Sequence, residues 1–147
     1  MSAPELHCEG LPAPVVTLLQ EIAVHLDRLV REGVGGAVDL RGLSALTRED
    51  LERLRQVLEV GEVQATVESL GKTVVQETGL PGVWWVRYQD RDGARAAERI
   101  EVARVPDILV AQSPDISAGL HALVAQLPDG SGAPEDTAPP SISWRDD

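Results

Sequence analysis

Apolar residues recur in steps of three and four from Val15 onward, at Leu18, Leu19, Ile22, Leu26 and Leu29. That spacing draws one stripe along a helix, predicted over residues 13–31. Pro12 and Pro14 stand where proline is tolerated at a helix start, and Gly33 supplies the C-cap. A second helix is announced by Thr47 with Asp50 three residues on, the spacing of a capping box. Leu46 and Leu51 occupy the two positions of a hydrophobic staple. Leu51, Leu54 and Leu58 are its expected buried face, and Gly61 follows. Between the two helices, Val38 and Leu40 can form a short extended piece.

At Gly61 the period changes from helical to alternating. Val63, Ala65 and Val67 alternate with Glu62, Gln64, Thr66 and Glu68, the pattern of a strand buried on one face. TVVQETG (73–79) reads as a second strand, VWWVRYQ (83–89) as a third and AERIEVARV (97–105) as a fourth. The LGK, LPG and DRDG turn signals separate them. Short connections between consecutive strands predict an antiparallel meander. A third helix is expected with Ser113 as cap and Pro114 at its first position, with a buried stripe of Ile116, Leu120, Leu123, Val124 and Leu127. The predicted class is α+β, a four-stranded antiparallel sheet covered on one face by about three helices. The expected organisation is a flexible N-terminal lead over 1–12, a single domain over 13–127 and a disordered acidic Pro/Gly/Ser tail over 128–147.

Charge narrows the partners. The 147 residues carry 13 bases against 24 acids, a net charge of −11, with six acids and one base in residues 112–147 alone. An acidic surface with a single lysine, Lys72, disfavours nucleic acid and anionic bilayers as partners. A basic protein segment suits it better. No continuous run of about eighteen apolar residues occurs, and the first residues lack a secretory pattern, so a cytoplasmic protein is expected.

Catalytic signals are weak. Cys8 is the lone cysteine, and His7, His25 and His121 have no metal-ligand spacing to one another. The glycines of GVGG follow no strand and are closed by no lysine, which disfavours a phosphate loop. The acidic pairs Glu49–Asp50 and Asp90–Asp92 fit a helix start and a turn. These residues predict no enzyme and no cofactor. A small metal-binding or redox accessory protein and a structural homodimer stand as alternatives.

The aromatic strand points to binding. Alternation puts Trp84, Val86 and Tyr88 on one face and Val83, Trp85 and Arg87 on the other. One tryptophan is expected in the core and the other on an uncovered face beside Arg87, where Trp, Tyr and Arg are common interface anchors.

Three pieces of this region also resemble a known family. They are Glu77 with Pro81, Gly82, Val83, Trp84, Trp85 and Val86; Ile100, Glu101, Val102, Arg104, Val105 and Pro106; and Ile108, Leu109, Gln112, Asp115 and Ile116. Over roughly residues 11–127 the chain is similar to the C-terminal region of nickel–iron hydrogenase expression/formation proteins of the HupH/HyaF type. The resemblance implies a non-enzymatic cytoplasmic accessory factor, a chaperone-like protein that assists the hydrogenase small subunit alongside a thioredoxin-like maturation protein. Family members are commonly longer, with further sequence ahead of this region. The family supplies no catalytic residues, so Trp84, Trp85, Arg87, Arg104, Pro106 and Asp107 are our own candidates for partner binding. A homodimer is a further expected partner state.

Overall fold

The computed structural model describes residues 5–41, 46–93 and 96–128. These residues fall into two units, one ending at Asp107 and the other beginning at Ile108. The tail expected to be disordered lies, from residue 129 on, outside the described residues.

The first unit opens with helix α1, Ala13–Glu32. Pro14 sits in its first turn, and Gly33 closes it at φ 72°, with its N–H donating to Leu29 O at 3.0 Å. Strand β1, Gly36–Asp39, follows. Helix α2, Arg48–Leu58, starts on the predicted capping box: Thr47 Oγ1 accepts from Asp50 N at 3.1 Å, and Asp50 Oδ2 accepts from Thr47 N at 3.0 Å. Four more strands complete the unit: β2 Gln64–Glu68, β3 Gly71–Glu77, β4 Val83–Asp90 and β5 Ala96–Val102.

The sheet has five strands, one more than expected, all antiparallel in the order β1-β5-β4-β3-β2. The meander is the predicted one. The added strand is the short extended piece at Val38, which pairs with Ile100 of β5 and so caps the sheet at one edge. Strand β5 ends at Val102, earlier than the pattern suggests, with one more cross-strand bond beyond it, from Ala103 N–H to Gly82 O.

One sheet face carries Val38, Val83, Trp85, Ile100 and Val102, and these join Val15, Leu18 and Ile22 of α1 and Leu54 and Leu58 of α2 in the core. Leu46 and Leu51, the staple pair, pack against it. With Leu40 the cluster holds eleven buried side chains, and their burial, at roughly 1.5–3 kcal/mol each, is the main force holding the two helices to the sheet. Gly36 belongs to this arrangement, because a Cβ there would run into the ring of His25. Strand β2 is less buried than its alternation suggests: Ala65 and Val67 are only half-buried and Val63 is exposed. Its place at the edge of the sheet accounts for that.

The second unit contains a 3-10 turn that begins at the boundary, Asp107–Leu109, and helix α3, Ser113–Gln126. Gln112 rather than Ser113 holds the cap position, without a side-chain cap bond, and Ile116 N donates to Gln112 O. The predicted buried stripe is not buried. No residue of α3 is, and Ile116, Leu120, Leu123 and Leu127 are exposed. Among its described residues this unit has no sheet for the helix to cover.

Candidate functional site

The first half of β4 is enclosed on both faces: Val83, Trp84, Trp85 and Val86 are buried, whereas Arg87, Tyr88 and Gln89 are exposed. Trp85 joins the core beneath the helices, with 7% of its surface exposed, and Trp84 on the opposite face is 6% exposed. The expectation that one tryptophan lies open on the sheet is therefore corrected. Arg87 lies on the side of Trp85, the helix-covered one, at a place where the helices leave it exposed, with 49% of its side chain open to solvent.

The two indoles differ in their polar atoms. Trp84 Nε1 donates to Ala103 O at 3.0 Å and pins the chain where it leaves β5. Trp85 Nε1 is buried with no hydrogen-bond partner among the described residues. Above the Trp85 ring, at 5.0 Å from its centroid, sits the guanidinium of Arg55 from α2. Arg87 faces Glu98 directly across the β4–β5 ladder, and Glu98 Oε1 accepts both from Arg87 Nε and from Arg55 Nη2, each at 2.8 Å. One largely buried carboxylate thus ties a strand arginine and a helix arginine together over an indole.

Beside this cluster lies a cavity of about 300 Å³, with Trp85, Arg55, Arg87, Val60, Val74 and Gln64 among its walls. Glu59, also on the wall, ends α2 with φ 58° and ψ −169°, a conformation that costs a non-glycine residue about 1–3 kcal/mol. The cavity adjoins the outer edge of β2. Glu77 N donates to Val63 O, so Val63, Ala65 and Val67 turn their backbone groups toward β3. Gln64, Thr66 and Glu68 turn theirs outward, where no described strand pairs with them.

The remaining candidates lie elsewhere. Arg104 and Asp107 are exposed and line a groove of about 720 Å³ at the β1 edge, with Gly36, Ala37, Arg99 and Glu101. Asp107 N donates to Glu101 Oε1 over a long 3.4 Å. Pro106 is fully buried and offers no contact surface. The six predicted residues therefore divide between two places, with Trp84 and Pro106 structural. Sequence reasoning missed Arg55, Glu59 and Glu98. Arg55 was findable, since it follows Leu51 by four positions and so borders the buried stripe of α2. Glu98 needed the strand register. No group of three His, Cys, Asp or Glu side chains that could hold a metal occurs among the described residues. Cys8 is an exposed free thiol.

Residues 13–128 match the family model described as HupH hydrogenase expression protein, C-terminal conserved region. The chain belongs to the HupH family. It is 34% identical over 125 residues to hydrogenase expression/formation protein HupQ of Azotobacter chroococcum mcd 1 and 35% identical over 126 residues to HoxQ of Azotobacter vinelandii. Each match covers 82% of this chain and 44% of the relative, so this HupH-family chain spans less than half the length of those proteins. The solved structure of hydrogenase expression protein HupH from Thiobacillus denitrificans ATCC 25259 superimposes with a TM-score of 0.71 at 39% identity, over 77% of this chain and 93% of that one.

Proposed function

We propose that this HupH-family chain is a non-catalytic, chaperone-like binding module of nickel–iron hydrogenase maturation, and that it holds an extended segment of the hydrogenase small subunit against the free edge of β2. The observation that carries this reading is the cavity walled by Trp85, Arg55 and Val60 beside the outward-facing backbone of Gln64, Thr66 and Glu68. An added strand would gain main-chain hydrogen bonds from that edge and place alternate side chains on the cavity side. The cavity selects an apolar side chain. Glu62 and Glu68 bracket the edge and favour basic residues at both ends of the segment, in keeping with the net charge of −11.

Family membership supports the hydrogenase context, and the named relatives are hydrogenase expression/formation proteins. Work in the cytoplasm, on a subunit not yet exported and with a thioredoxin-like maturation protein as second partner, is part of the same proposal.

Co-purification of the tagged full chain with the small subunit, from cells making hydrogenase, tests the reading. Thr66→Pro removes an outward N–H without breaking a β2–β3 ladder bond, and Val60→Asp charges the cavity wall. Wild type is expected to retain the subunit and both variants to lose it with unchanged circular dichroism. A wild type that retains nothing overturns the function, and variants that bind like wild type overturn the assigned edge.

A further inference from the structure

Helix α3 and its C-cap residue Leu127 present four large apolar side chains to solvent, with Ile116 59%, Leu120 39%, Leu123 60% and Leu127 53% exposed. Their spacing is four, three, four. At 3.6 residues per turn these positions fall within about 60° of arc, a single narrow seam. This is the a/d spacing of a helix that packs on another helix, with the half-buried Val124 on its flank widening the stripe to about 100°.

We infer that this seam pairs with α3 of a second copy of the chain, the two helices antiparallel. A four–three–four spacing reads the same in both directions. An antiparallel pair related by a two-fold axis therefore sets Ile116 against Leu127 and Leu120 against Leu123, then repeats both layers in reverse, leaving no seam position unmatched.

Charge favours the same partner. Self-association of a protein with net charge −11 is opposed over most of its surface. From Ser113 to Gln126 the only carboxylate is Asp115, and no Lys or Arg occurs. Two copies can approach along this helix without the repulsion they meet elsewhere, whereas a charged partner finds nothing on it to pair with. Gly119, beside the seam, fits this picture. A Cβ there would meet no atom within 4 Å, so the described residues of this unit give no reason for glycine in mid-helix. Close approach of a second helix does.

A contact limited to two short helices falls in the small, weak interface class, so the dimer is concentration-dependent. Asp107–Gln126 also reaches a mean hydropathy of 1.2 over an eighteen-residue window, long and apolar enough by composition for a bilayer. The experiment must separate these occupants.

Sedimentation velocity of the full chain across a hundredfold concentration range is expected to show the mass rise from 15.8 kDa toward twice that value. Leu120→Glu and Leu123→Glu should each hold the chain monomeric throughout, with thermal unfolding of the first unit unchanged. Ala125→Glu, on the opposite face of the helix, should dimerise like wild type. A wild type that stays monomeric at every concentration overturns the inference, as does a dimer that survives both Leu→Glu changes or is lost equally in Ala125→Glu. Flotation of a monomeric wild type with phosphatidylcholine vesicles would assign the seam to a bilayer instead.

Discussion

The guanidinium of Arg55 lies 5.0 Å over the ring of Trp85, clamping the last turn of α2 to the central strand. Its Nη2 also holds Glu98 Oε1 at 2.8 Å. Arg55→Ala should therefore lower stability by about 1–2 kcal/mol, combining a partly screened ion pair with a cation–π contact. Arg55→Lys keeps the charge but loses the planar stack and should fall between. Urea unfolding midpoints of the three proteins check the order.

The adjacent tryptophans give a sharper comparison. Trp84→Phe leaves the Ala103 carbonyl without its 3.0 Å donor, a loss of about 1–3 kcal/mol beyond the change in ring size. Trp85→Phe removes an N–H that has no partner, which relieves part of the cost of the smaller ring. Denaturant titrations should find Trp84→Phe the more destabilised of the two. Equal losses would show that the two polar atoms are energetically alike.

Glu59 adopts a backbone conformation that glycine enters freely. Glu59→Gly should raise stability by roughly 1 kcal/mol, the relieved strain exceeding the added chain entropy. Thermal unfolding by calorimetry reads this directly, and a lower melting temperature would show the site to be unstrained.

At the other end of α2, Thr47→Ala should cost about 1 kcal/mol, with Asp50→Ala similar. Because the two side chains satisfy each other's backbone, the double variant should lose less than the sum. A double-mutant cycle in urea measures that difference.

Much of this fold is legible in the residues themselves. Caps are local, so Thr47, Asp50 and Gly33 announce the helix ends they form. Alternation is local too, and it separates Trp84 from Trp85 correctly. What each strand face meets is not local. The sequence near Trp85 contains no sign that Arg55, thirty residues earlier, lies across the indole, and the pairing of Arg87 with Glu98 exists only once the register is set. The fifth strand is legible only as an extended piece at Val38, because its place in the sheet depends on the edge that β5 offers. Helix α3 misleads for a related reason: an apolar stripe states that something must cover it, not what does.

Hydrogen–deuterium exchange of the full chain with and without the hydrogenase small subunit tests the central claim most directly. The account predicts new amide protection at Gln64, Thr66 and Glu68, whose N–H groups point outward from the sheet, and slowed exchange at the end of α2 around Glu59 and Val60. Exchange unchanged by the subunit, or protection confined to the groove at Arg104 and Asp107, would contradict it.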